Sequence, residues 1–240
     1  MASPAGSSGD TGRSTRRLDR TMIVQAALRY IDDHGAQGLT MRALATDIGV
    51  GPMALYRYVS GREDLLEAVV ELLLHDLEDG LDSELSHRGW QAYLQTLAHA
   101  VRRIALEHPS AFPLVATRHP ATPWLRPPLR SLDVVEDFLT TLHQYGFSDE
   151  QIVDTYRAFS SFLLGQLLLE TSTRGAETSP VELPLDEGNA PLPNHDGQID
   201  PRGRPQTARL KPLLSEDHSE AEFETTLETL LDRLEMGLSQ

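Results

Sequence analysis

The sequence contains 240 residues, of which 40% are hydrophobic and 24% charged, a balance typical of one or two globular domains with a sizeable core. It has no cysteine, which excludes disulfides, thiolate metal sites and cysteine nucleophiles. The first twenty residues lack the continuous apolar stretch of a secretory signal, and no apolar run reaches membrane-spanning length. We therefore expect a cytoplasmic protein without a transmembrane segment.

The net charge of −15 is distributed unevenly along the chain. Residues 1–62 contain eight arginines and five acidic residues, whereas the remainder carries a net charge of −18. A basic segment on an acidic body can bind a polyanion at one end while the other end repels it. Solvated helix surfaces are also often acidic, so the charge distribution alone does not decide for nucleic acid.

Helical periodicity begins after Asp19, and residues 19–59 contain three predicted helices. Asp19 is a good N-cap for helix one. Thr40 caps a second helix of about two turns, which ends at Gly49. Pro52 stands where a first helical turn tolerates it and opens a third short helix, which we expect to continue to Val59.

The rest of the chain is also helical by pattern. Three capping boxes, which begin at Ser60, Ser148 and Ser219, open amphipathic helices. Two further amphipathic helices begin near Trp90 and Leu129, and the proline-rich run between them has room only for a short helix. No stretch alternates between apolar and polar residues as a β-strand would. The predicted fold class is all-α.

The periodic pattern disappears between Thr173 and Asp217. Seven of the fifteen prolines fall in this segment, which predicts a long flexible loop over 173–217. Residues 1–17, rich in Ser, Gly and Arg, form a predicted disordered basic tail. This tail is either solvated or an arm that binds phosphate or the minor groove of DNA.

The most specific feature is the pair formed by helices two and three, which a glycine turn joins and a helix flanks on each side. This arrangement is typical of a helix-turn-helix motif within a small bundle. The outward face of helix three would enter the major groove of DNA. There Tyr56, Arg57 and Tyr58 can hydrogen-bond phosphates or base edges, while Met53 and Ala54 offer apolar contacts to thymine methyl groups. Arg62 and the amide ends of helices two and four would hold phosphate.

Three runs of sequence resemble the DNA-binding domain of TetR-family transcriptional regulators: GAQGLTMRALA at 35–45, GVGPMALYRYV at 49–59 and GREDLL at 61–66. The resemblance covers roughly residues 18–69. It implies an N-terminal three-helix helix-turn-helix DNA-binding domain, 18–64, and a C-terminal helical domain, 65–240, that binds a small effector and dimerises. It further implies a homodimer that forms through the last two helices and reads a palindromic operator.

The resemblance also carries site residues onto this sequence. The positions at which family members touch DNA are Thr40, Arg42, Pro52, Met53, Ala54, Tyr56, Tyr58 and Arg62. Gly51 and Arg57 complete the predicted DNA-binding set, although the position of Arg57 is aromatic in many relatives. Because helix four begins beside the DNA and extends to Leu77 under the C-terminal core, we expect an effector to act by shifting this helix.

An effector pocket is predicted inside the C-terminal helical domain, because ligand sites between bundle helices combine apolar walls with a few polar groups. The candidate residues are Trp90, His99, Arg103, Phe112, Trp124, Phe138, Tyr156, Phe159, Phe162 and Gln166. The aromatic members also suit an ordinary hydrophobic core. No His-x₃-His or His-Glu-x-x-His spacing occurs, so we expect no metal ion and no cofactor.

The sequence contains no Gly-x-Ser-x-Gly elbow, phosphate-binding loop or dinucleotide fingerprint, and so it does not predict an enzyme. It predicts a sequence-specific transcriptional regulator, a repressor that a small effector releases from a palindromic operator. The alternative is a helical small-molecule-binding protein or enzyme that uses its N-terminal bundle for protein contacts.

Overall fold

The computed structural model describes residues 18–80, 89–117, 122, 124–173 and 203–238, and every regular element in these ranges is helical. The helices in chain order are α1 (Arg20–His34), α2 (Met41–Ile48), α3 (Pro52–Leu55), α4 (Arg62–Gly80), α5 (Trp90–Glu107), α6 (Leu132–Gln144), α7 (Asp149–Thr173), α8 (Pro205–Leu214) and α9 (Ser219–Leu238). A one-turn 3₁₀ helix, Phe112–Leu114, follows α5. The predicted all-α fold is confirmed.

Helices α1 to α3 form a small N-terminal bundle, and α4 packs against α1. Its core consists of side chains that are fully shielded from solvent, among them Ile23, Ile31, Leu44, Leu55 and Leu65. These residues come from all four helices, so the two short helices α2 and α3 are held by tertiary packing. Helices of one or two turns are not stable on their own.

The predicted helix ends in this bundle form as the sequence indicates. The Asp19 carboxylate accepts a hydrogen bond of 2.8 Å from the backbone N–H of Met22. The Thr40 hydroxyl accepts one of 3.0 Å from the N–H of Ala43. Gly49 ends α2 in the left-handed conformation, with φ of +79°, which a residue with a Cβ rarely adopts.

Helix α3 is shorter than the sequence predicts. It ends at Leu55, and the chain turns through Tyr56, Arg57 and Tyr58 before reaching Val59, whose N–H donates to the Leu55 carbonyl at 3.1 Å. Both Leu55 and Val59 are buried. Their spacing of four residues has a helical period, although a turn and not a continuous helix brings them to the same side.

The C-terminal bundle is organised around α7. This helix packs against α5, α6 and α9, and α4 packs against both α1 and α5. Helix α4 therefore belongs to the two bundles at once. None of the described helices is both long enough and apolar enough to cross a lipid bilayer.

Of the three predicted capping boxes, the one at Ser148 forms in full. The Ser148 N–H donates to the Gln151 side chain at 2.9 Å, and the Gln151 N–H donates back to the Ser148 hydroxyl. At Ser60 the reciprocal partner is Asp64 and not Glu63: the Ser60 N–H donates to the Asp64 carboxylate at 2.6 Å. Here α4 begins only at Arg62, which places the carboxylate one residue later.

The capping box predicted at Ser219 does not form. Ser219 is already the first residue of α9, and its N–H and hydroxyl both donate to the side chain of Asp217. The N–H of Glu222 donates to the backbone carbonyl of His218. The helix therefore begins two residues after an aspartate that the periodicity had left inside the loop.

The predicted loop over 173–217 contains a helix that the sequence analysis missed. Residues 205–214 form α8, although Pro205 and Pro212 fall within it. Pro205 occupies the first turn, where a backbone N–H has no helical partner and its absence costs nothing. Because the segment contains so many prolines, the sequence analysis predicted a loop over this short helix. Residues 174–202, like the predicted basic tail at 1–17, lie outside the described residues.

Candidate nucleic-acid interface and ligand cavity

In α3 and the turn that follows it, some side chains are buried in the core and others are exposed to solvent. Leu55 is fully buried, whereas Met53 is 76% exposed and Tyr56 47% exposed. Arg57 and Tyr58 are exposed as well. A soluble domain rarely leaves this many large side chains in contact with water over so short a segment without a partner to meet them. The exposed side carries apolar, phenolic and cationic groups together.

The ten predicted DNA-binding residues are all accessible to a partner. Thr40, Arg42, Gly51, Pro52, Met53, Tyr56, Arg57 and Tyr58 are exposed, and Ala54 and Arg62 are partly buried. The Thr40 hydroxyl also caps α2, so it fixes the end of that helix.

Arg62 has a structural role that the sequence did not indicate. Its Nε donates to the Leu39 carbonyl at 2.9 Å, and its Nη2 donates to the Ala36 carbonyl at 3.0 Å. Its Nη1 lies 3.2 Å from the Glu63 carboxylate. The guanidinium thus ties the beginning of α4 to the connection between α1 and α2, and its contact with phosphate stays a prediction.

Asp64 holds the first turn of α4 to the start of α1. Its carboxylate accepts from the Ser60 N–H and from Arg20 at 3.2 Å. The hydrogen bond from the Ser60 backbone, followed by the smaller effect of Arg20, lowers the pKa of Asp64 below its ordinary value. A carboxylate at a helix N-terminus is also favoured by the helix dipole.

A polar contact joins α1 to the end of α5. The His108 Nδ1 lies 2.8 Å from the Asp32 carboxylate, and the Ser110 hydroxyl donates to the Asp32 carbonyl at 3.4 Å. Burial raises the pKa of Asp32, and the hydrogen bond and charge of His108 act in the opposite direction. The N-terminal bundle is therefore connected to the C-terminal bundle at a second point, apart from α4.

Arg130 connects α4 to the segment that precedes α6. Its side chain is buried; Nε donates to Glu67 at 3.0 Å and Nη2 lies 3.5 Å from Glu63. Its Nη1 donates to the Thr117 hydroxyl at 3.3 Å, and its backbone N–H donates to the Val115 carbonyl. One buried guanidinium thus joins the N-terminal half of α4 to Val115 and Thr117.

The C-terminal bundle encloses a small apolar cavity of about 40 Å³. Four helices and the segment before α6 line it with Leu74, Leu77, Leu97, Val101, Val115, Leu129, Val134, Val135, Phe138, Tyr156, Phe159, Ser160, Leu163 and Leu164. The volume is far below the roughly 300 Å³ of a pocket that holds a small organic ligand. The bundle must open to admit one.

Three of the ten predicted pocket residues line this cavity, namely Phe138, Tyr156 and Phe159. They surround one another, with the Phe138 ring centroid 5.7 Å from each of the other two. The Tyr156 hydroxyl donates to the Pro127 carbonyl at 3.0 Å. Burial raises the pKa of Tyr156 to about 12, and a hydrogen bond with Ser160 acts the other way.

The other seven predicted pocket residues lie elsewhere in the bundle, because sequence pattern does not tell which buried side of a helix faces a cavity. Trp90 packs on Phe147, Phe112 is buried outside the lining, and His99 and Phe162 pack around Phe223 of α9. Arg103 pairs with Glu107 on the exposed side of α5. Trp124 is 71% exposed, and Gln166 faces a groove beside the turn between α8 and α9.

Sequence reasoning missed Arg130 and Ser160. Arg130 pairs with Glu63 and Glu67, which lie more than sixty positions earlier in the chain, and no local pattern reveals such a pairing. Ser160 follows Tyr156 by one helical turn, a spacing that could have indicated a polar pair on one face of α7. Among the described residues, no three His, Asp or Glu side chains are grouped as metal ligands would be.

Comparison with known proteins identifies the class to which these features belong. Residues 23–69 match the model of "Bacterial regulatory proteins, tetR family", and residues 84–238 match "Tetracyclin repressor-like, C-terminal domain". The chain is 30% identical over 224 residues to the class D tetracycline repressor protein of Escherichia coli, across 93% of this chain and 92% of that protein.

Two further relatives agree with this match. The chain is 28% identical over 241 residues to the transcriptional repressor DrrR1 of Streptomyces coeruleorubidus, across 96% of this chain and 84% of that one. The crystal structure of a possible TetR family regulator from Streptomyces coelicolor A3(2) superposes with a TM-score of 0.68 at 28% identity, over 91% of this chain and 99% of that one.

The chain belongs to the TetR family of bacterial transcriptional regulators. Its N-terminal bundle is the DNA-binding domain, and its C-terminal bundle is the domain through which family members bind an effector and dimerise. The sequence-based prediction of a small-molecule-regulated DNA-binding repressor is confirmed at this level.

Proposed function

We propose that the exposed side of α3 and the turn after it read the operator, with the N-terminus of α2 beside them on the phosphate backbone. The observation that carries this proposal is the exposure of Met53, Tyr56 and Tyr58 directly beside fully buried Leu55. Apolar and phenolic groups suit base edges and thymine methyl groups, and Arg42 and Arg57 supply charge for phosphates.

The dimer would form through α7 and α9, which are the last two helices that the sequence analysis predicted; α8 lies between them in the chain. Both helices keep large apolar side chains in water in the single chain: Val153 and Leu169 on α7 and Met236 on α9 are exposed. Two copies related by a twofold axis would cover these side chains and place two recognition elements about 34–36 Å apart, one turn of DNA. A protein that acts on DNA in this way works in the bacterial cytoplasm and needs no catalytic group.

Release from DNA would pass through α4. Leu74 and Leu77, in the C-terminal half of this helix, line the cavity. In its N-terminal half, Glu67 pairs with Arg130. A ligand that enlarges the cavity by displacing Val115 or Leu129 would also move Arg130, which follows Leu129 and whose N–H donates to the Val115 carbonyl. The ligand changes DNA affinity only as far as it prefers the moved state.

Selection of random-sequence duplex DNA on the purified protein tests the operator-reading proposal. We expect the wild type to enrich a palindrome and Tyr56→Ala to enrich none while unfolding at the same temperature. Arg57→Gln and Arg42→Gln should each reduce the salt dependence of binding by about one ion per half-site. Failure of the folded wild type to enrich any sequence would favour the alternative, a helical binding protein or enzyme whose N-terminal bundle contacts protein.

A further inference from the structure

Among the described residues, α7 supplies the polar part of the cavity lining. Tyr156 and Ser160 are one helical turn apart, both are buried, and both line the cavity. The Tyr156 hydroxyl donates to the Pro127 carbonyl at 3.0 Å, and Ser160 places a second hydroxyl in the same lining. A hydroxyl accepts as well as donates, so this pair can receive one further hydrogen-bonding group if Pro127 moves away.

The rest of the described lining is uncharged. Of the fourteen described residues around the cavity, the two hydroxyl residues are polar and the other twelve are apolar. Arg130 is not among these fourteen residues; its Nε and Nη1 donate to Glu67 and Thr117, and its buried Nη2 lies 3.5 Å from Glu63 without a hydrogen bond. An ionic group placed against the described lining would lose its hydration without gaining a charged partner there, which is strongly unfavourable. The lining therefore selects against charged ligands.

The aromatic side chains in the apolar part of the lining determine which ligand shape is favoured. Phe138 is edge-on to the Tyr156 ring at an interplanar angle of 77° and tilted by 33° to the Phe159 ring. Edge and face contacts of this kind favour a flat aromatic guest over an aliphatic one. The present volume does not hold a benzene ring, for which an engineered cavity of about 150 Å³ is sufficient.

Residues 124–131, directly before α6, form the wall that can give way. They contribute Leu129 to the lining, and the hydrogen bond between Tyr156 and Pro127 fastens them to α7. A ligand group that takes the place of the Pro127 carbonyl would exchange one hydrogen bond for another. The Tyr156 hydroxyl then keeps a partner, and the Pro127 carbonyl must exchange Tyr156 for water.

We propose that the cavity binds a neutral, flat aromatic molecule with a single hydrogen-bonding group, which Ser160 and Tyr156 receive in place of the Pro127 carbonyl. This inference rests on the proposal that the C-terminal bundle senses a ligand. Ser160 is the residue that distinguishes such a molecule from a plain hydrocarbon of the same shape.

Titration calorimetry of the full-length protein without DNA tests this ligand class with three probes that share one flat ring system: 2-naphthol, naphthalene and 2-naphthoate. We expect 2-naphthol to bind at least tenfold more tightly than naphthalene, and 2-naphthoate not to bind. Ser160→Ala should reduce the preference for 2-naphthol over naphthalene to within threefold and leave naphthalene binding unchanged. Ser161→Ala, the exposed neighbour on the same helix, is the matched control and should behave as the wild type.

Several outcomes would overturn the inference. These are tighter binding of 2-naphthoate than of 2-naphthol, equal losses in Ser160→Ala and Ser161→Ala, or no binding of any probe by protein that unfolds at its normal temperature. Leu163→Phe, which narrows the cavity, should weaken both neutral probes, and unchanged binding would place them elsewhere. Because no DNA is present, these results are independent of whether the protein selects an operator.

Discussion

The N-terminal and C-terminal bundles present their functional side chains in opposite ways. In the N-terminal bundle the candidate DNA contacts come from residues 40–62 and most of them are exposed. In the C-terminal bundle the cavity is lined mostly by buried residues, which come from four helices and the connection before α6. DNA is a large surface and can be met by a local run of exposed residues, whereas a small molecule must be enclosed. The two sites therefore leave very different traces in the sequence.

Helix α3 offers the strongest test of this comparison, because buried and exposed roles alternate within it. Leu55→Ala should lower the free energy of unfolding by about 2–5 kcal/mol, since it empties a fully buried site. Met53→Ala removes a side chain that touches little and should change stability by no more than about 0.5 kcal/mol. Chemical denaturation measures both.

Operator binding by the same two variants completes that test. Met53→Ala should weaken binding at an unchanged stability, by about 1–3 kcal/mol if its contact with a base is specific. Equal losses of stability in the two variants would contradict the assignment of buried and exposed sides to α3.

The Arg130 contact tests the junction between the bundles. A double-mutant cycle with Arg130→Met and Glu67→Gln should give a coupling energy of about 1–3 kcal/mol, because the guanidinium is buried and donates directly to Glu67 at 3.0 Å. The matched cycle with Glu63→Gln should give less than about 0.5 kcal/mol, because Glu63 is exposed and its oxygen lies 3.5 Å away. Reversed coupling energies would show that α4 is held at its first turn and not at Glu67.

Local sequence motifs also determine helix ends in the C-terminal bundle, and substitutions of Ser148 and Ser219 test this. Ser148→Ala should cost about 1 kcal/mol of stability, because Ser148 caps α7. Ser219→Ala should cost less than about 0.5 kcal/mol, since Ser219 does not complete the capping box that its sequence indicates and Asp217 remains in place. Thermal unfolding of the two variants gives the comparison, and equal effects would mean that the sequence motif alone determines capping.

Two aspartates should give the smallest effects, with opposite dependence on pH. Asp64 has a lowered pKa, so its ionised form stabilises the fold at pH values above 3.8, which is the ordinary pKa of an aspartate. This stabilisation is lost as the pH falls through the lowered pKa. Asp32 has a raised pKa, so stability decreases as the pH rises from 3.8 through the raised value.

Neutral variants of these residues separate the two effects. Asp64→Asn should lose stability at pH 7 and approach the wild type in acid, whereas Asp32→Asn should lose less at pH 7 than in acid. Denaturant unfolding between pH 2 and pH 7 measures both differences. Parallel pH profiles for the two variants would contradict the opposite environments of the carboxylates.

The N-terminal bundle could be predicted almost completely because its determinants are local. Asp19, Thr40 and Gly49 act on backbone groups within a few residues, and the structure has the caps where the sequence predicts them. The end of α3 was predicted too late, since Leu55 and Val59 have helical spacing across a turn. The loop prediction failed over α8 for a related reason, because proline is compatible with the first turn of a helix.

The cavity could be predicted only in outline. The sequence identifies aromatic residues in a helical bundle, but each buried helix has several apolar sides, and only packing decides which side meets a cavity. Phe138, Tyr156 and Phe159 line it, whereas Phe112 and Phe162, of the same chemistry, do not.

By itself, the sequence determined the all-α class and most of the helix ends, and it indicated the segment that we propose reads DNA, because caps, turns and exposed side chains act over a few positions. Tertiary structure alone decided the attachment of α4 by Arg130 and the placement of the Tyr156 and Ser160 hydroxyls in the cavity lining. These features depend on residues that are far apart in the chain and meet only when the helices pack. The physical reason is range: backbone hydrogen bonds are satisfied locally, whereas burial and ion pairing join whichever side chains the fold brings together.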